Sequence, residues 1–217
     1  MDKIAFEKSL HQGAELLGVE LVEPCADGLW RLMEELLKWN ARVNLTAITE
    51  PEEVLEKHFL DSLAVLPEVA GATQLLDLGA GAGLPGLPLR LARPELQVTM
   101  VDAVAKKVAF IKQAIAVLGL GPGTRGVHTR AAGRPETEGL PRADVVISRA
   151  LMDFPAWAKL GTQYLRPDGR LIAMLGQPLP PSEAADLAGA AGLRLVSSRE
   201  YRLPFSKASR QVIVAAA

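Results

Sequence analysis

From residue 73 onward, short apolar runs alternate with helical windows, and no other feature limits the possible folds so tightly. QLLDLG, QVTMVD, RGVHT, ADVVIS and GRLIAML are nearly continuous in apolar residues. That is the pattern of parallel strands buried on both faces. AKKVAFIKQAIAVLG is the clearest intervening helix, with Gly119 as its stop signal. Such alternation predicts an α/β, doubly wound (Rossmann-like) fold with a mostly parallel sheet. The end of the chain differs. LRLVSSREYRLP and SRQVIVAAA have no helical pattern between them and predict a C-terminal antiparallel hairpin.

The first seventy residues have another rhythm. In DGLWRLMEELLKWN, Leu29, Leu32, Met33, Leu36 and Leu37 recur at spacings of three and four, which predicts an amphipathic helix with Asp27 as its N-cap. EPEEVLEKHFLDSLAVL repeats the pattern, with Pro51 in its first turn. NARVNLTAIT between them reads as a structured connection. The expected organisation is an N-terminal helical extension over 1–70 and a cofactor-binding unit over 71–217.

Composition narrows the class. One cysteine, Cys25, allows no internal disulfide and no cysteine-rich metal site, and His11, His58 and His128 are scattered. The start lacks a signal-peptide core, and no window approaches the ~18 apolar residues of a membrane span. A cytoplasmic monomer with no metal and no membrane contact is expected. The net charge of −1 conceals a division: residues 1–103 carry 8 basic and 17 acidic side chains, residues 104–170 carry 11 and 5. A local basic region of this kind suits an anionic partner, because a polyanion responds to a patch and not to the average.

After strand LLDL comes Gly79-Ala80-Gly81-Ala82-Gly83, where the backbone can approach a ligand closely. Asp102 ends the next predicted strand. In a doubly wound sheet those two strand ends are neighbours at the carboxyl edge, where ligands bind. A carboxylate there accepts hydrogen bonds from ribose hydroxyls, so loop and acid read as a nucleoside-cofactor site. Gly81, Gly83 and Gly86 also spell the dinucleotide pattern G-x-G-x-x-G, leaving an NAD-type oxidoreductase as an alternative. Register favours S-adenosylmethionine. Counted from the strand end, Gly79 is the first glycine and Leu84 stands where the third should be, while Pro85 removes an N–H from the pyrophosphate cradle. Asp77 adds a negative charge suited to the methionine ammonium. A parallel sheet closed by a hairpin is also the usual arrangement in nucleoside-dependent methyltransferases.

The chain resembles the bacterial small-subunit rRNA guanine-N7 methyltransferase family (RsmG/GidB). The resemblance runs through KWNARVNLTAIT, KHFLDSL, LLDLGAGAGLPGLPLRLARPE, VDAVAKKVAFI and VISRA, in that order. It implies methyl transfer from S-adenosylmethionine to N7 of one guanine in the 530 loop of 16S rRNA, with 16S rRNA or the small ribosomal subunit as partner. It also implies cofactor contacts at Gly79 and Leu84, a ribose-binding Asp102, and Arg149 beside the cofactor and substrate mouth. Ala131 and Ala132 fall near the adenine, where Ala132 replaces an acid of the family pattern. Leu175 stands where a lysine is usual. Arg210 matches the family's arginine before the last strand, and Gln211 replaces the histidine that follows it.

Guanine N7 carries a lone pair and no proton, so no acid–base residue is expected and catalysis should rest on orientation. Lys106, Lys107, Arg125, Arg130, Arg134, Arg142 and Arg210 are the predicted RNA contacts. His58 and Asp61, neighbours on one helical face, are expected to lock the helical segment to the sheet or to shape the substrate mouth. Few aromatics lie in the basic region, so recognition should depend on folded rRNA. A non-catalytic rRNA-binding protein remains the third reading.

Overall fold

The computed structural model describes residues 1–149 and 152–216. Helices α1 (Lys3–Leu17) and α2 (Cys25–Val43) come first. A broken helical segment follows, made of α3 (Pro51–Val54), a π-helical turn (Leu55–Leu60) and α4 (Asp61–Leu63). Then come β1 (Gln74–Leu78), α5 (Gly86–Ala92), β2 (Gln97–Asp102), α6 (Ala105–Leu118), β3 (Thr124–His128), α7 (Pro135–Glu138) and β4 (Ala143–Arg149). The chain finishes with α8 (Phe154–Gly161), β5 (Leu165–Leu175), α9 (Pro181–Ala190), β6 (Arg194–Arg202) and β7 (Ser209–Ala216). One seven-stranded sheet has the order β3-β2-β1-β4-β5-β7-β6. Pairings from β3 through β5 are parallel, and β7 is antiparallel to both β5 and β6. The predicted terminal hairpin is therefore present, with its second strand inserted beside β5.

Two apolar layers cover the sheet. On one face Leu75, Val98, Val145, Ile172 and Val212 pack with the N-terminal helices, α5 and α6. On the other, Leu76, Val101, Val146, Leu171 and Ile213 pack with α8 and α9. The period-two alternation of strand side chains decides which residues join which layer. Residues Val54, Leu55, Phe59, Leu63 and Leu66 of the second helical stretch are all buried, as are Leu29, Leu32, Met33 and Leu36 of α2, while Leu37 is half-buried. These helices share one apolar cluster with the sheet.

Two local expectations are corrected. Pro24, not Asp27, occupies the N-cap of α2, and Asp27 lies in the first helical turn, paired with Lys3. His58 and Asp61 do not bond each other; both take Arg149 on β4, and Asp61 also takes Tyr201 on β6 and Arg210 on β7, which ties the helical segment to the sheet. Pro51 and Gly119 take their expected first-turn and C-cap positions.

Candidate functional site

The strand order reverses direction between β1 and β4, and this switch point is where open α/β sheets bind ligands. β1 ends in the glycine loop. Gly79, Gly81 and Gly83 all have positive φ (74°, 58° and 76°), which side-chain-bearing residues rarely adopt. The N–H groups of Gly79 and Ala80 both donate to the Val101 carbonyl, tying the loop to β2. A Cβ on Gly81 would meet nothing closer than 4.0 Å, so it would project into open space above the loop. That space is a cavity of about 270 Å³, walled by the loop, Leu84, Asp102, Lys107, Arg149 and the Leu45–Thr46 backbone segment.

Asp102 closes this cavity. Its Oδ2 accepts the Gly81 N–H (2.9 Å) and its Oδ1 accepts the Val104 N–H (2.8 Å). Each oxygen keeps a further acceptor position, so the carboxylate is fixed in place and still able to take two hydroxyls. A nucleoside with a vicinal diol fits this arrangement. Asp77 is placed differently from expectation: it is fully buried beneath the loop and does not line the cavity. One of its oxygens accepts the Gly86 N–H (2.9 Å) and the other has no partner. Burial pushes its pKa up to about 7, against the lowering effects of the Gly86 amide and Arg149.

Ala131 and Ala132 also lie outside the cavity wall. The Ala132 N–H donates to Glu138 Oε1 (3.0 Å), which also accepts the Arg134 N–H (3.1 Å). The Tyr164 hydroxyl donates to the other Glu138 oxygen and accepts the Gly133 N–H (2.8 Å). The carboxylate absent at Ala132 thus reaches this loop from Glu138.

A second cavity of about 320 Å³ adjoins the first and, among the described residues, shares His58 and Arg149 with it. Alternation explains its far wall: Arg149, Met174 and Arg210 have the same parity as Val145, Ile172 and Val212, so they project toward the helical segment. Arg149 donates to the Lys57 carbonyl (2.8 Å), Asp61 Oδ2 (3.3 Å) and His58 Nδ1 (3.3 Å). His58 Nδ1 lies between the Arg149 guanidinium (3.3 Å) and the Lys57 carbonyl (3.2 Å), and Nε2 faces Thr46 Oγ1 (3.0 Å). Burial, then Arg149, lowers the His58 pKa to about 4, so the ring is neutral. Thr46 is itself held by Asn40, whose Oδ1 accepts the Leu45 and Thr46 N–H groups (2.6 and 2.9 Å). Thr46, Ile48, Lys57 and Met174 escaped the sequence reading, although strand parity would have indicated Met174.

The predicted RNA contacts divide. Lys106, Lys107, Arg130 and Arg134 lie just beyond the carboxyl ends of β2 and β3, and Arg210 lines the second cavity. Arg125 and Arg142 are corrected: they sit toward the amino edge, away from the cavities. Arg125 donates to Thr99, and Arg142 to Glu136 and the Gln163 carbonyl. Gln211 is buried and bonds Leu179 and Ser198, a structural place and not a substrate-facing one. Among the described residues no helix is long and apolar enough to cross a membrane, and no group of three metal-ligating side chains gathers.

A family model described as rRNA small subunit methyltransferase G matches residues 26–208. The chain belongs to that family. A protein of Myxococcus xanthus named Ribosomal RNA small subunit methyltransferase G is 63% identical, covering 99% of this chain and 98% of its own length. A protein of the same name from Anaeromyxobacter dehalogenans is 53% identical, with 96% of each chain covered. Among solved structures, a SAM-dependent methyltransferase from Aquifex aeolicus has 17% identity and a TM-score of 0.56, covering 79% of this chain and 96% of its own. One from Thiobacillus denitrificans, in complex with S-adenosyl-L-homocysteine, has 15% identity and a TM-score of 0.52, covering 72% and 90%. These structures establish the fold, a Rossmann-like methyltransferase architecture with added N-terminal helices.

Proposed function

We propose that this chain transfers a methyl group from S-adenosylmethionine to N7 of a guanine in the 530 loop of 16S rRNA, acting in the cytoplasm on the small ribosomal subunit or its rRNA. The observation that carries the cofactor is Asp102, fixed by two backbone amides at the lip of an open glycine loop. The loop backbone, Leu84 and Asp102 would hold the nucleoside, and family membership supports the RNA target. In this reading residues 71–217 form the cofactor-binding unit and residues 1–70 cover one face of it. When bound, S-adenosylmethionine supplies an electrophilic methyl group on a sulfonium.

The residues present suit a reaction without a general base. Guanine N7 needs no deprotonation, and the one histidine at the boundary of the two cavities is neutral with both ring nitrogens engaged. The chain's contribution is to orient N7 and to exclude water, an effect of proximity and alignment. Incubation with labelled S-adenosylmethionine and unmethylated small subunits, followed by mapping, should place the label on N7 of a 530-loop guanine. Label on another base would overturn the target and keep the chemistry. Asp102→Ala should weaken S-adenosylmethionine binding about 10- to 100-fold, the scale of charge-assisted hydrogen bonds; unchanged affinity in calorimetry would remove Asp102 from the site.

A further inference from the structure

We infer that the second cavity is the receptor for the methylated base itself, and that Asp61 reads the guanine edge opposite N7. The inference rests on the proposed methyl transfer. Among the described residues the two cavities meet across His58 and Arg149, so a base seated in the second faces the first through that boundary. Its volume of about 320 Å³ lies at the small end of ligand sites. Ile48 and Met174 supply apolar surface for the faces of a planar ring, and a flipped base is held by such surfaces and by bonds to its Watson–Crick edge.

Among the described residues Asp61 is the only carboxylate in this cavity's wall, and it is 3% exposed. Its Oδ1 accepts the Tyr201 hydroxyl (2.7 Å) and lies 3.4 Å from Arg210 Nε; its Oδ2 takes Arg149 at 3.3 Å. Three donors occupy about four acceptor positions, and both guanidinium contacts are long. The carboxylate therefore retains capacity for a donor from the cavity. Guanine alone among the RNA bases presents an N1–H beside a 2-amino group, two donors that match a carboxylate. Adenine offers a lone pair at N1 and would be repelled. Arg149, already between the two cavities, is placed to donate to O6, which neighbours N7 on the ring.

The test is a coupling measurement. Small subunits are reconstituted with 16S rRNA carrying either guanine or inosine at the methylated position; inosine keeps N7, O6 and N1–H but lacks the 2-amino group. With the parent protein, inosine should lower kcat/KM by about 10-fold or more, the loss of one hydrogen bond to a charged group. With Asp61→Ala, activity on guanine should fall at least 10-fold while the further penalty for inosine disappears. An undiminished inosine penalty in Asp61→Ala would overturn the assignment. Ile48→Trp, which enlarges an apolar lining residue without touching the Asp61 ion pairs, guards against loss of folding in the first variant. It should abolish methylation while S-adenosylmethionine affinity stays within about threefold of the parent; retained methylation would overturn the receptor. If the parent transfers no methyl group to guanine-bearing subunits, the functional reading fails instead, a result separate from either.

Discussion

Asp77 shows how one residue can work against the fold that holds it. The sequence suggested a charge facing the cofactor ammonium, whereas the carboxyl lies under the glycine loop with one oxygen on the Gly86 amide and the other unpartnered. Burial is the dominant cause of its pKa near 7. The folded state therefore binds a proton more tightly than the unfolded chain, whose carboxylate titrates near 3.8. Stability from this group is full below pH 3.8 and is lost as pH rises through 7, by on the order of 4 kcal/mol in total. His58 slopes the other way: its pKa is lowered to about 4, so stability falls as pH drops from 6.5 toward 4. Between pH 6.5 and 7, of these two groups, Asp77 alone still changes its contribution. Asp77→Asn keeps an acceptor for Gly86 and removes the charge, so at pH 8 the variant should melt higher than the parent, with the gap shrinking by pH 5. Thermal melts across that range measure it, and equal parent and variant slopes would mean Asp77 ionises freely.

Among the elements, the loop after β3 is held by side chains that lie far from it in the sequence or on the next helix. Glu138 on α7 fixes the backbone of residues 132–134, and Tyr164 clamps both partners. Burial and then Glu138 push the Tyr164 hydroxyl pKa up to about 12. Glu138→Ala should therefore speed amide exchange at Ala132 and Arg134, destabilise the chain by about 1–3 kcal/mol, and bring the Tyr164 titration back toward 10. An unmoved tyrosine titration would show that burial alone sets it. This clamp was not legible in the sequence, because it joins positions 26 and 31 residues apart with no periodic pattern between them. The strands, the hairpin and the α6 stop were legible, since apolar runs and Gly119 report local physics. The π turn at Leu55–Leu60 was not: its residues look like any amphipathic helix, yet His58 and Asp61 converge on Arg149 and Asp61 alone goes on to Tyr201. Such turns recur at functional sites.

Across the whole molecule, the basic character of residues 104–170 is less concentrated than a count suggests. Arg142 and Arg166 are consumed by Glu136 and Asp144 near the amino edge of the sheet, and Arg170 by the Glu68 and Ala70 carbonyls. Sequence spacing could not separate these from arginines at the carboxyl edge, because strands of similar length deliver loops to both edges in alternation. The glycine loop and Asp102 were legible for the converse reason: both sit at strand ends whose direction the parallel alternation fixes. Arg130 and Arg134 are exposed beyond the end of β3, and among the described residues their guanidinium groups have no ion pair. An RNA approaching the cavities meets this edge and not the opposite one, and each phosphate neutralised releases about one counterion. Arg134→Ala should therefore weaken binding to unmethylated small subunits and reduce the slope of log affinity against log salt by roughly one. Arg142→Ala removes the same formal charge from the far edge and should leave that slope unchanged. Filter binding between 50 and 200 mM salt compares the two, and equal effects would mean that overall charge, not an edge, attracts the RNA. The scarcity of aromatics near Arg130 and Arg134 extends the prediction to substrate form. Without stacking platforms for single-stranded bases, affinity must come from phosphates arrayed on a folded surface, so an isolated 530-loop hairpin should be methylated far more slowly than the intact subunit, and equal rates would show that the cavities alone select the base.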